Sequence, residues 1–254
     1  MVDFGKTAAD YGKHRQGFPE ELFRRLRAFN IGLPGQRVVD LGTGTGTVAR
    51  SLALAGCRLT GIDPAAPMLE QARALDAAAG VSIDYIAGRA ENTGLPAANF
   101  DLVTAGQCWH WFERGEAARE VMRLLVPGGS LAILSFDWIP LPGNVVAATE
   151  ALIEKHNPSW LFGGAYGIHG QWTIDTGTAG FVAHESFSFD LPAWYTHEAW
   201  RGRIRASAGV GASLPPEAVA AFDAEHAVML ARDFPEDPIA VPHRTWALVC
   251  RKPA

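Results

Sequence analysis

The run Val38-Val39-Asp40-Leu41-Gly42-Thr43-Gly44-Thr45-Gly46-Thr47-Val48-Ala49-Arg50 decides how the rest of the chain is read. β-Branched residues lead into three glycines at alternate positions, and an apolar helical pattern starts at Val48, so the segment predicts strand, tight loop, helix. Glycine serves where the backbone takes a left-handed conformation or where a ligand lies directly on the chain. A helix opening after Gly46 aims free N–H groups and a positive dipole end at the same place. The loop is expected to bind something polar or anionic.

Working outward, Cys57-Arg58-Leu59-Thr60-Gly61-Ile62-Asp63 reads as a second buried strand ending in a carboxylate. An acid at that tip is placed to accept hydrogen bonds from ribose hydroxyls, which narrows the expected ligand to a nucleoside. A dinucleotide fingerprint wants its third glycine three places after the second. Thr47 stands there, which argues against a pyrophosphate cofactor.

Five motifs then stand in order: Asp-Leu-Gly-Thr-Gly-Thr-Gly at 40–46, the acid Asp63, Met68 shortly after it, Gln107-Cys108-Trp109-His110-Trp111-Phe112, and Leu125-Val126-Pro127-Gly128-Gly129. Together they resemble the class I S-adenosylmethionine (SAM) dependent methyltransferases and are most similar to the type 11 small-molecule group. The resemblance covers roughly residues 11–137. It implies a Rossmann-like α/β fold: a seven-stranded, mostly parallel sheet with an antiparallel last strand, helices on both faces and an aromatic-rich lid insertion. It also implies SAM as cofactor and S-adenosylhomocysteine as product.

Several site residues follow from the resemblance. Asp40, Gly42, Gly44, Gly46, Asp63 and Gln107 are expected at the cofactor. Tyr11-Gly12-Lys13-His14-Arg15-Gln16-Gly17-Phe18-Pro19 resembles a Tyr-x-x-x-Arg-x-Gly-aromatic-Pro lead-in whose arginine meets the methionine carboxylate. Arg15 suits that task, since a guanidinium offers forked donors to a carboxylate. A solvated arginine before a helix is the plainer reading. Tyr11 and His14 are assigned to the acceptor side. Met68 lies against adenine in similar enzymes, although methionine at helical spacing also serves as plain core. The family often has an acid where Arg89 stands; with that acid missing, the adenine edge falls to the backbone at Ala90 and to Glu91.

Length and composition set bounds. At 254 residues, 48% of them hydrophobic, the chain has material for one α/β domain with additions. A net charge of −5 and no Lys/Arg run longer than Arg24-Arg25 give no electrostatic reason to expect nucleic acid. Cys57, Cys108 and Cys250 are odd in number and widely spaced, so neither a disulfide framework nor a metal site is expected. No apolar run reaches about 18 residues and the first residues carry no signal core, which leads to the expectation of a soluble cytoplasmic protein, monomer or homodimer, with a small-molecule partner and no membrane.

Along the chain, Pro19-Glu20-Glu21 opens an amphipathic helix, Val81–Ala87 and Phe100–Gln107 read as strands, and a helix over Glu116–Leu125 is expected to stop at Pro127-Gly128-Gly129 before a strand over Ser130–Phe136. Residues 1–137 form the expected SAM-binding core with a lead-in helix. From 138 to 180, prolines, glycines and aromatic residues predict a helix near Val145–His156 and then an irregular lid. Residues 181–254 are expected to complete the sheet, with a strand at Phe181–Asp190, helices after Thr196 and Pro216, and a last strand over His243–Arg251.

For the chemistry, Trp109 and Trp111 beside the sheet's fourth strand and Trp160, Tyr166 and Trp172 in the lid are assigned to a flat acceptor; rings also attract a sulfonium cation. The same lid aromatics suit a small core of the lid itself. His110 is either a general base on an acceptor O–H or N–H, or a local hydrogen-bonding residue that fixes its loop. The expected reaction is methylation of O or N on a small planar or carboxylate-bearing metabolite. Quinone-type C-methylation, a nucleotide-dependent oxidoreductase and a non-catalytic SAM-binding protein are the alternatives. No Gly-x-Ser-x-Gly elbow or His-Glu-x-x-His pair supports a hydrolase.

Overall fold

The computed structural model describes residues 17–254; Tyr11, His14 and Arg15 lie outside them. The strands are β1 (Arg37–Leu41), β2 (Arg58–Asp63), β3 (Asp84–Ala87), β4 (Phe100–Gly106), β5 (Leu125–Trp138), β6 (Val182–Tyr195) and β7 (Ile239–Arg251). They form one sheet in the order β3-β2-β1-β4-β5-β7-β6. β1 pairs parallel with β2 and β4, β2 with β3, and β4 with β5. The antiparallel last strand is confirmed: the Lys252 N–H donates to the Gly129 carbonyl and the Ile139 N–H to Pro242, so positions rising along β5 meet positions falling along β7.

Central strands are apolar on both faces, with Val38, Val39, Leu41, Leu102, Val103, Ala105, Leu131 and Ile133 all buried, as a parallel sheet covered on two sides requires. The helices α2 (Thr47–Leu54), α3 (Ala66–Ala79) and α4 (Arg114–Leu124) join successive strands. Winding proceeds from β1 toward β3, then restarts at β4 on the other side of β1. With right-handed crossovers, that reversal puts α2 and α3 on one face and α4 on the other. The strand ends between β1 and β4 are the switch point where such sheets bind ligands.

Two expectations are corrected. Pro127-Gly128-Gly129 is no turn between helix and strand: β5 begins at Leu125, directly after α4, and its pairing with β4 jumps from Phe100–Leu125 to Leu102–Ser130. Proline and glycine mark a break in the ladder, and a bulge satisfies that signal as well as a loop does. The stretch after α5 (Val145–His156) is not wholly irregular either. It contains α6 (Gln171–Thr178), which buries Trp172 and Thr176; flanking glycines hid so short an apolar face.

Two compact units divide the chain. One consists of residues 17–136, 168–188 and 245–254; the other holds residues 137–167 and 189–244. Helix α1 is Glu20–Leu26 in the first unit; the second unit holds α5 together with α7 (His197–Arg205) and α8 (Pro216–Asp233). Thr196 caps α7 by accepting from the Ala199 N–H at 3.1 Å, as the sequence led one to expect.

Inside that second unit lies a small polar network. The Thr149 hydroxyl donates to the Val145 carbonyl at 2.7 Å and accepts from Trp200 Nε1 at 3.1 Å, with His226 Nε2 at 3.3 Å. Because the single Thr149 proton goes to Val145, His226 must present its own proton at Nε2. Its Nδ1 then faces the interior without a partner. Burial pulls the His226 pKa down from 6.5 to about 4. A folded-state pKa below the unfolded one means that stability is complete above the unfolded pKa and is lost as pH falls toward the folded one. Thermal melts at pH 7 and pH 5 should show a loss of about 2 kcal/mol from this residue, and His226→Gln, which keeps an N–H for Thr149, should flatten that dependence; an unaltered pH profile would contradict it.

Candidate functional site

The loop from β1 to α2 carries Gly42, Gly44 and Gly46, all left-handed at φ +58°, +54° and +76°. Their surroundings differ. A Cβ on Gly42 would stand 2.8 Å from the Cys108 Cβ, and one on Gly46 would strike the Tyr85 hydroxyl, whereas one on Gly44 would meet nothing within 4 Å among the described residues. Two of the three glycines therefore admit protein, and among the described residues the middle one faces open space. That opening is where a ligand can touch bare main chain.

Asp63 stands beside it. Its Oδ2 accepts from the Gly44 N–H and its Oδ1 from the Ala65 N–H, both at 2.9 Å. Burial pushes its pKa up, and the two amides act in the opposite direction. Each oxygen keeps a lone pair for another donor. Asp40 is different: it is buried, with Oδ1 accepting from the Thr104 hydroxyl at 2.6 Å and Oδ2 from the Thr43 hydroxyl at 2.7 Å. Desolvation raises its pKa to about 6 despite those bonds. Asp40 ties β1, β4 and the loop together from beneath and offers almost no surface to a ligand.

A brace that sequence reasoning missed supports the loop from behind. Arg50 Nε pairs with Asp76 at 2.7 Å while its Nη2 donates to the Thr45 carbonyl at 2.8 Å. The Tyr85 ring crosses β2 where a Cβ on Gly61 would lie 2.6 Å away, and its hydroxyl ends against Gly46. Burial and the neighbouring Asp76 push the phenol pKa up, so it stays protonated. The available signal was Gly61: glycine inside a strand marks a close approach.

The remaining expected residues fall into groups. Gln107 adopts φ +61°, its N–H donates to the Leu134 carbonyl and its side-chain amide to the Phe136 carbonyl, clamping the ends of β4 and β5. Cys108 donates through Sγ to the Leu41 carbonyl at 3.1 Å. Residues 109–111 form a 3-10 turn. Trp109 is wholly buried in the core, edge-on to Phe112; Trp172 is a core residue too, stacked on His169 at 3.9 Å. Neither ring is thereby free to face an acceptor, which corrects their assignment. Trp111 is 38% exposed and lies against His110, 4.7 Å between centroids. Met68 and Ala90 are buried, and the Glu91 carboxylate is engaged by Arg89 at 3.2 Å and the Glu113 N–H at 3.0 Å. Phe18 packs beside Gly106 at the end of β4 and against Phe136. Trp160 and Tyr166 belong to the second unit, Trp160 against Gly209 and Gly163, Tyr166 exposed.

Comparison with known proteins agrees with this geometry. Residues 39–133 match the type 11 family described as a methyltransferase domain. An uncharacterised methyltransferase of Mycobacterium tuberculosis is 32% identical over 151 residues, 57% of this chain and 59% of that protein. A malonyl-[acyl-carrier protein] O-methyltransferase of Enterobacter lignolyticus is 34% identical over 157 residues, 60% of this chain and 59% of that one. The chain thus matches about three-fifths of the length of these relatives. The crystal structure of the YcgJ protein of Bacillus subtilis superposes with a TM-score of 0.60 at 21% identity, covering 93% of this chain and 100% of that one, which shows a shared fold.

Residues 39–133 thus belong with the methyltransferase domains. The residues of this methyltransferase domain fit a nucleoside cofactor: Gly44 leaves main chain bare, and Asp63 holds acceptor capacity next to it. The two kinds of glycine are separable by experiment. Gly46→Ala should lower stability by about 2 kcal/mol or more through collision and strain. Gly44→Ala should cost only its left-handed strain, about 1 kcal/mol. Equal losses in a thermal melt would contradict the inside–outside assignment.

Proposed function

We propose that the protein transfers a methyl group from SAM to an oxygen or nitrogen of a small planar or carboxylate-bearing molecule. The observation that carries the reading is the open left-handed glycine, Gly44, hydrogen-bonded to the carboxylate at the tip of the next strand. SAM, when bound, supplies an electrophilic methyl on a sulfonium. The main chain at Gly42–Gly46 receives the nucleoside side, Asp63 accepts from its ribose hydroxyls, and Arg15 takes the carboxylate. Met68, Ala90 and Glu91 border the adenine, and Gln107 holds the strand ends that face it. Asp40 acts from below by keeping the loop in shape.

Displacement at a methyl carbon needs alignment and exclusion of water more than it needs a covalent intermediate. His110, half-buried against Trp111, is the base that takes the proton from the acceptor O–H or N–H, with Trp111 beside it on the acceptor side. The similar malonyl-[acyl-carrier protein] O-methyltransferase supports an oxygen as acceptor. No helix among the described residues is long and apolar enough to cross a membrane, and the reading includes a cytoplasmic monomer or homodimer without nucleic acid.

Asp63→Ala should weaken SAM affinity by at least about tenfold, or 1.4 kcal/mol, in a calorimetric titration. Unchanged affinity would remove the ribose assignment. For His110→Ala, a base role predicts a pH-dependent fall in turnover; a loss uniform in pH, or no loss, would leave His110 a positioning residue.

A further inference from the structure

Two bridges join the glycine loop to α3. The first is Asp63, whose carboxylate accepts from the Gly44 N–H with one oxygen and from the Ala65 N–H, at the entrance to α3, with the other. The second is Arg50, on α2. Its Nη2 donates to the Thr45 carbonyl at 2.8 Å and to the Ala72 carbonyl, on α3, at 3.3 Å, while its Nε holds Asp76, one turn further along that helix, at 2.7 Å. One residue of the loop, Thr45, is thereby tied to the same helix whose first amide Asp63 receives.

Both ends of the second bridge are enclosed. The Arg50 side chain is 17% exposed and that of Asp76 5%. Among the described residues Asp76 Oδ2 has no partner, so the charge of Asp76 leans on Arg50. Such a pair keeps its geometry, because moving the guanidinium would leave a buried carboxylate and two main-chain carbonyls unanswered.

We propose that Arg50 is a positioning residue for the cofactor: by tying the Thr45 carbonyl to α3 it sets the spacing of the Gly44 and Ala65 amides, and so the angle at which Asp63 meets the ribose hydroxyls. Asp63 can accept from both amides only while the loop and the start of α3 keep one separation. Were that separation to change by about 1 Å, one oxygen would come free and the lone pairs that face the ligand would turn away from it. This role of Arg50 rests on the ribose contact of Asp63 and acts through it. Two residues that act through one another give losses that do not add, whereas two independent structural defects give losses that do.

A double-mutant cycle, read as S-adenosylhomocysteine affinity by calorimetry on the full chain, separates the two cases at a temperature where melting curves show every variant folded. Arg50→Met together with Asp76→Leu removes both charges and leaves none buried. This paired replacement should weaken binding at least about fivefold, and in an Asp63→Ala background it should add less than about a further twofold. A smaller loss in the first case, or a larger one in the second, would overturn the positioning role and leave the ribose contact standing. Asp63→Ala with no loss of its own would overturn the ribose contact, and this role with it. If the paired replacement fails to fold, Arg50→Lys takes its place under the same two limits, since one ammonium keeps a charge for Asp76 but cannot also span the Thr45 and Ala72 carbonyls.

Discussion

A single hydrogen bond, from the Gly44 amide to the Asp63 carboxylate, joins the tips of two neighbouring parallel strands, and most of the candidate site is arranged to keep it. The loop can offer that amide only because three residues adopt a left-handed conformation, which costs little only for glycine. Below, Asp40 holds Thr43 and Thr104. Behind, Arg50 pins the Thr45 carbonyl. The buried charge of Asp40 is costly to keep, as its raised pKa of about 6 records. That cost is accepted because a carboxylate accepts from two hydroxyls at once, in two elements, and an uncharged side chain of its size cannot.

Both units keep a few buried polar atoms without a partner. Around the glycine loop, Asp40 and Asp63 are answered by hydroxyls and main-chain amides, while the Tyr85 hydroxyl and Asp76 Oδ2 are not answered. In the second unit, His226 Nδ1 is likewise unanswered. Native proteins tolerate few such groups, and each calls for a reason. His226 stays neutral to fit.

Much of the fold was legible because strand, glycine and helix signals coincide over residues 38–50, and because Asp63 falls at a strand tip. Helices with caps, such as α5 behind Asn144 and α7 behind Thr196, were found at the correct ends. Side-chain direction was the illegible part. β1 is buried on both faces, so alternation could not tell that Asp40 points beneath the loop rather than toward a ligand. Trp109 and Trp172 stand in aromatic-rich, glycine-broken sequence that resembles a ligand-facing loop, yet both complete the core. Tyr85 acts on Gly46 across Gly61, three residues from three elements, and no local pattern links them.

That last trio carries a consequence for anyone transplanting this loop. Tyr85 can occupy its place only while two other positions lack a side chain, and either glycine, once its partner ring is gone, leaves a gap. The three sites therefore drift or persist as one inherited set, and a chimera that imports residues 40–46 without the matching strand residues would receive a loop whose rear wall is missing.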